Sequence, residues 1–238
     1  ACTAMLAGAA LAVSGLLLQT TFDNPLAGPS ILGISTGSSL GVAIVMLALG
    51  GSIGATFSTY LSVLTGALIG AGAVMLVLLI FSAFVKSSIM LLIIGIMVSY
   101  LASSAISLLN FFSTQEGVHS FVIWGLGNFS GVTLDRLPLF AILSIIAIAA
   151  SFTLVKPLNA LLLGSRYAEN LGINLRATRN KLLLISGVLT AVVTAFCGPI
   201  GFLGLIVPHI ARLALRTSNH IILLPATALC GATRAKHW

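Results

Sequence analysis

Residues 156–181, KPLNALLLGSRYAENLGINLRATRNK, gather Lys156, Arg166, Arg176, Arg179 and Lys181 around Glu169, in a chain with only eleven basic and four acidic residues. From Asn24 to Val85 no side chain is charged. Cations without a nucleophile, a matched base or a metal-ligand set beside them can hold a partner or fix a membrane side, but they do not break bonds. Apolar positions run through the same stretch at Leu161, Leu162, Leu163, Tyr167, Ala168, Leu171 and Ile173. Gly164 and Gly172 bracket a helical segment of about two turns. Such a helix would offer Tyr167 and Leu171 to a groove on a partner, with Arg166 and Glu169 at the rim. A plain amphipathic loop that only anchors topology fits the same pattern, and the residues alone leave both readings open.

Other candidate chemistry is sparse. Cys2, Cys197 and Cys230 lie far apart in apolar surroundings, as inert buried thiols do. No Cys/His spacing suggests a metal site, and His209, alone beside Pro208, reads as structural rather than as a ligand. Asn24-Pro25 reads as a helix-breaking turn with a capping role. Gly198-Pro199 and Gly201 read as a tight turn between spans, and Trp124 as an interfacial aromatic. Ser99, Ser103, Ser104 and Ser107 share one apolar run, where small residues suit close helix packing and their hydroxyls can bond back to their own helix carbonyls.

The elements that carry these residues follow from composition. The chain is 58% hydrophobic and 6% charged, with a mean hydropathy of +1.17, whereas soluble domains carry about 25% charged residues. Continuous apolar runs, without the alternation of barrel strands, specify an all-α, polytopic transmembrane helix bundle. The net charge of +7 does not argue for nucleic acid, because the cations are distributed between spans. Spans are expected at Ala4 to Gln19, Ile31 to Leu49, Leu61 to Val85, Ile89 to Phe112, Leu137 to Val155, Leu182 to Phe196, Gly201 to Leu215 and from Leu223 onward. GGSIGATFSTY would turn between the second and third, and the polar stretch 113–138 would connect the fourth and fifth. Gly66 and Gly70 read as a close helix contact, with Gly72 nearby.

Alternating sides places Lys86, the five cations of 156–181, Arg212 and Arg216 on one face, against Arg136 on the other, with Glu116 and Asp135. That asymmetry makes the cation-rich face cytoplasmic. Between Ile31 and Phe196 the span interiors hold no Asp, Glu, Lys, Arg or His. Proton relays need such groups, so uphill transport would draw its energy from outside the spans. Sodium held by carbonyls and hydroxyls keeps an ion-coupled carrier or channel as an alternative. An intramembrane enzyme has no acid/base pair or metal set to work with.

Four stretches in order resemble one family, the permease subunits of type II ABC importers for iron–siderophore, haem and vitamin B12. They are GAALAVSGLLLQTTFDNPLAGPSILGISTGSSLG at 8–41, SFVIWGLGNFSGVT at 120–133, LGSRYAENLGINLRATR at 163–179 and CGPIGFLGLIVPHIARL at 197–213. The resemblance implies a single permease domain across 1–238, with seven or eight of the family's ten helices present. It implies a homodimer in the bacterial inner membrane, two cytoplasmic ATPase subunits and a periplasmic or lipoprotein substrate-binding protein. No cofactor is implied on this chain; ATP–Mg would sit on the partner ATPase. The coupling segment would be residues 159–176, carried by Arg166, Tyr167, Ala168, Glu169, Asn170, Leu171 and Gly172. Ser99, Ser103, Ser104 and Ser107 would line the pathway. Asn24, Pro25, Gly198, Pro199, Gly201, Pro208 and His209 belong to the matching motifs. Both ends read as cut short relative to the family, so a non-functional permease fragment stands as a further alternative.

Overall fold

The computed structural model describes residues 1–48, 57–85 and 87–236, and among these it contains eleven α-helices and no strand. The expected GGSIGATFSTY turn lies largely outside the described residues, as do Leu49, Lys86 and the last two residues. Helix α1, Cys2–Thr21, has no charged residue and is buried along nearly its whole length, so the bundle is built around it. Thr20 and Thr21 near its end donate back to the carbonyls of Leu16 and Leu17. That gives both hydroxyls a partner within their own helix.

After α1 the chain makes a compact non-helical passage. Ala27, Gly28, Pro29 and Leu32 are buried in protein, the condition under which irregular backbone is tolerated at membrane depth. Helix α2, Ile34–Ala43, runs on into a π-helical turn, Ile44–Ala48. Helices α3, Phe57–Phe84, and α4, Ser88–Phe112, follow. The remaining helices are α5, Gln115–Gly125; α6, Leu137–Phe152; α7, Val155–Leu161; α8, Ser165–Asn170; α9, Leu175–Cys197; α10, Leu203–Leu215; and α11, His220–Ala235. Side-chain caps set several starts: Ser87 accepts from Met90 N–H, Thr114 from Gly117 N–H, Asn174 from Ala177 N–H and Asn219 from Ile221 N–H.

Glycines set how closely the helices approach. Gly15 on α1 faces Gly204 on α10, and Gly8 faces Gly231 on α11. Gly66 and Gly70 on α3 meet Gly41 and Gly37 on α2, so the Gly-x-x-x-Gly expected to be a contact is one. Gly72 meets nothing within 4 Å and takes no part. In lipid, such backbone-to-backbone fit replaces the hydrophobic drive that folds soluble helices. Polar pegs supplement it: Ser14 on α1 donates to Ser186 O at 2.9 Å and lies 2.9 Å from Thr190 Oγ1, both on α9.

Several boundaries differ from the sequence reading. Among the described residues four helices, from α1, α3, α4 and α9, are long and apolar enough to cross a membrane, and α6 with α7 makes a fifth, bent by 52°. The ten residues of α2 and five of its π turn reach only about 22 Å, short of the ~30 Å hydrocarbon core. The 13-residue α10 is shorter still. Among the described residues the expected second span is therefore a short helix fed by a buried passage, and the seventh is the short helix expected there. The polar connection after α4 holds helix α5, packed against the α2 π turn, because Thr114 caps it. Helix α9 starts at Leu175 rather than Leu182, since Asn174 initiates it through the charged residues.

The ends of the bundle separate charge. Lys156, Arg166, Arg176, Arg179, Lys181, Arg212 and Arg216 fall at the end formed by the starts of α8 and α9 and the close of α10. Arg136 sits at the other end, its guanidinium 3.3 Å from the centre of the Tyr60 ring, a cation–π contact. Lys236 borders the same end beside Ala1 and Asn128, and Arg234 precedes it. Among the described residues the bias is thus seven against three, weaker than the sequence count but of the same sign.

Candidate functional site

The cation-rich end is organised by α7 and α8. A short turn through Leu162, Leu163 and Gly164 joins them, and Leu163 and Gly164 donate to the carbonyls of Ala160 and Leu161. Gly164 takes φ +98° and ψ +152° at the start of α8, a region open essentially to glycine. At the far end Ile173 N–H reaches Ala168 O at 3.1 Å while Gly172 N–H reaches Glu169 O at 2.9 Å, with Gly172 at φ +81°. These paired bonds are a Schellman motif, so Gly172 ends α8 in a left-handed conformation, where the sequence placed a bracketing glycine. The two bracketing glycines therefore make α8 a self-contained knob of six residues. Gly164→Ala is expected to strain this entry by ~1–3 kcal/mol. Accelerated protease cleavage within 160–172, with the rest of the chain unchanged, would register it.

The knob presents a defined face. Arg166, Glu169, Asn170 and Gly172 are exposed, and so are Tyr167 at 52% and Leu171 at 58%. Ala168 is the exception: it is fully buried and pins α8 to the body. Grouping it with the docking residues is corrected by this burial, because a methyl group turned inward cannot meet a partner. Two large apolar side chains held in the open on a short rigid helix, rimmed by charge, have the composition of an interface anchor.

The knob is tied into the bundle on both sides. Behind α7, Asn159 Nδ2 donates to Asn219 Oδ1 at 3.0 Å, and Asn159 Oδ1 accepts from His220 N–H at 2.8 Å. The His220 ring lies 2.9 Å from Asn159 Oδ1 through Nδ1 and 2.9 Å from Thr20 Oγ1 through Nε2. His220 is fully buried, so this chain of bonds runs from the half-buried Asn159 on α7 through the start of α11 inward to the end of α1. Beyond α8, Arg179 on α9 reaches the last turn of α3. Its Nη2 donates to Ser82 O and Val85 O at 2.6 and 2.7 Å, and its Nε donates to Ser82 Oγ at 3.0 Å. Ser82 Oγ in turn donates to Asn180 Oδ1 at 2.6 Å. A guanidinium on terminal carbonyls satisfies orphan acceptors and opposes the negative end of the helix dipole. A cleft of Thr21, Ser88, Ser165, Glu169, Arg176 and Arg179 lies between the two ties. Sequence reasoning did not find Asn159, His220 or Ser82, since their partners stand 60 to 200 residues away.

The other expected residues divide among the two ends and α4. Asn24 forms an Asx turn, its Oδ1 accepting from Leu26 N–H at 2.9 Å, and Pro25 follows on the surface. Gly198 and Pro199 meet the Trp124 stretch at the end opposite the knob. Asn128 N–H donates to Cys197 O at 2.7 Å, and a Cβ on Gly198, at φ +78°, would lie 2.6 Å from Trp124 O. Two stretches some 70 residues apart thus close on one another there, with Gly201 exposed beside them. Trp124 stacks on Phe121 at 6.2 Å and is half-buried. Pro208 is buried inside α10 while His209 next to it is exposed. On α4, Ser99 and Ser107 donate back to Gly95 O and Ser103 O, the self-satisfied arrangement. Ser103, Ser104 and Ser107 are nevertheless exposed on the chain's surface, and Ser99 is half-buried near Gly33.

A multi-pass bundle of apolar helices, with an exposed knob at its cation-rich end, is the class this architecture defines. The model of the FecCD transport family matches residues 1–234, and the chain belongs to that family. It is 37% identical over 233 residues to the molybdate import system permease MolB of Haemophilus influenzae, covering 97% of this chain and 67% of that one. It is 38% identical over 229 residues to the vitamin B12 import system permease BtuC of Salmonella typhi, covering 96% and 68%. The hemin transport system permease HmuU of Yersinia pestis is 34% identical over 230 residues, covering 96% and 68%. A solved structure described as an inward-facing conformation of a metal-chelate type ABC transporter superposes with a TM-score of 0.89 at 34% identity, covering 98% of this chain and 73% of that one. The chain is a permease subunit of the ABC importer kind, a transport component rather than an enzyme.

Proposed function

We propose that this permease pairs with a second copy in the bacterial inner membrane and imports a bulky metal chelate, haem or a corrinoid, driven by two cytoplasmic ATPase subunits. A periplasmic or lipoprotein receptor would deliver the solute. The observation that carries the coupling half of this reading is the α8 knob, with Tyr167 and Leu171 exposed above a buried Ala168 at the cation-rich, hence cytoplasmic, end. The pairing half rests on α4, whose exposed face offers Ile93, Met97, Tyr100, Leu101 and Leu108 beside the serines. An apolar strip with a polar line along it suits a subunit seam that surrounds a pathway. ATP binding would close the ATPases, α8 would pass the motion to the helices tied to it, and the seam would open alternately to each side. No bond in the solute is broken.

The similarity to a molybdate permease favours a second reading, import of a small oxyanion through the same pathway. Uptake into proteoliposomes holding the permease, its ATPase and its receptor distinguishes them, with radiolabelled haem, cobalamin, ferric siderophore and molybdate compared directly. The chelate reading expects ATP-dependent accumulation of one of the first three and none of molybdate. Uptake that continues without nucleotide under an ion gradient would defeat both. In the same system Ser103→Leu is expected to lower uptake by about 10-fold while ATPase binding is unchanged, because it replaces a polar lining group with a bulky apolar one. Normal uptake by this variant would remove Ser103 from the pathway.

A further inference from the structure

The knob does not reach the rest of the bundle through apolar packing alone. Two separate hydrogen-bonded routes of polar side chains lead from it into the bundle. One leaves from α7, three residues before the turn into α8, and passes through Asn159 and His220 to Thr20 on α1. The other leaves from the first turns of α9, just after α8, and passes through Arg179 and Asn180 to Ser82 and Val85 at the end of α3. These destinations differ. Helix α1, against which α11 packs, is the buried centre of the bundle, whereas the end of α3 leads towards α4, the helix carrying the serines. Both routes consist of short bonds between partly or wholly buried groups, where directionality is strong and slippage costly.

The geometry points to Asn159 and Arg179 as positioning residues that link α8 to the bundle: Asn159 holds it to α1 and α11, and Arg179 carries its displacement to the end of α3. This rests on the reading of α8 as the ATPase handle. Asn159 divides its amide, the oxygen holding His220 twice and the nitrogen holding Asn219. Arg179 bridges two carbonyls and a hydroxyl with its fork, which a lysine ammonium, a single point on a flexible stem, cannot reproduce. Neither residue lies on the exposed Tyr167–Leu171 face, so removing them would leave the docking surface in place and break the link behind it.

The test measures three quantities on the reconstituted complex: ATPase subunit retained, ATP hydrolysed, and substrate moved per ATP. Arg179→Met is expected to retain the ATPase subunit and lower substrate moved per ATP by about 10-fold, with Arg179→Lys restoring little. Asn159→Leu should behave alike, while Asn159→Asp, which keeps the acceptor for His220, should recover part of the coupling. If Arg179→Met or Asn159→Leu does not accumulate in the membrane, Ser82→Ala, which deletes one hydroxyl, carries the test with the same expected direction. Unchanged transport per ATP in these variants overturns the inference. Loss of ATPase binding in Arg179→Met, with Tyr167→Ala unaffected, would overturn both it and the assignment of α8. Loss in Tyr167→Ala alone leaves the α8 reading standing.

Discussion

Gly15→Val is expected to prevent the permease from assembling as a monodisperse membrane protein. A Cβ at Gly15 would fall on the carbonyl of Gly204, a backbone atom of α10 that no rotamer change can move aside. The two helices would have to separate along α1, the most completely buried element. Overpacking of a tight core costs about 1–3 kcal/mol, occasionally more. Here the obstacle is backbone on both sides, which places the cost at ~3 kcal/mol or above. Size-exclusion profiles in mild detergent and melting curves read the effect. Gly72→Val is the control: nothing lies within 4 Å of a Cβ there, so a change of about 0.5 kcal/mol or less is expected. Equal damage from both substitutions would refute the glycine-seam account of packing.

The second large effect concerns the knob. Tyr167→Ala and Leu171→Ala each remove an exposed apolar anchor without touching the buried Ala168 or the Schellman bonds that hold α8. Anchors of this kind carry ~2 kcal/mol each at an interface, roughly a 30-fold loss of affinity. Together they are expected to abolish co-purification of the ATPase subunit, while the permease keeps its melting temperature. A fall in permease stability with intact ATPase binding would instead make the two side chains part of the fold. Arg166→Ala, at the rim, is expected to matter far less, because exposed charges at an interface edge contribute little affinity.

Local signals were legible in the sequence where local chemistry decided the outcome. The long apolar runs of α3 and α4, the glycines that bracket α8 and the Gly66–Gly70 contact all follow from propensity and spacing. Helix α5 was missed because its polar composition resembled a connection, and only the Thr114 cap and its contact with the α2 π turn make it a helix. The short α2 and α10 were read as spans because hydropathy registers apolarity rather than helix length. Burial of Ala168 was invisible, since a six-residue helix has too few positions for a periodicity to name its inner face. The routes through His220 and Arg179 were hidden for a different reason. The first joins residues from three helices and the second from two, and no pattern in one stretch encodes partners so distant in the chain.

Placing a photoreactive benzoylphenylalanine at position 167 tests the mechanical role of α8 most directly. In the intact assembly, irradiation is predicted to yield a covalent adduct with the ATPase subunit, located by mass spectrometry on its outer surface. A matching probe at Leu134, exposed at the opposite end, should give none. Adducts confined to lipid or to the permease itself, in complexes where the ATPase is present, would contradict the account.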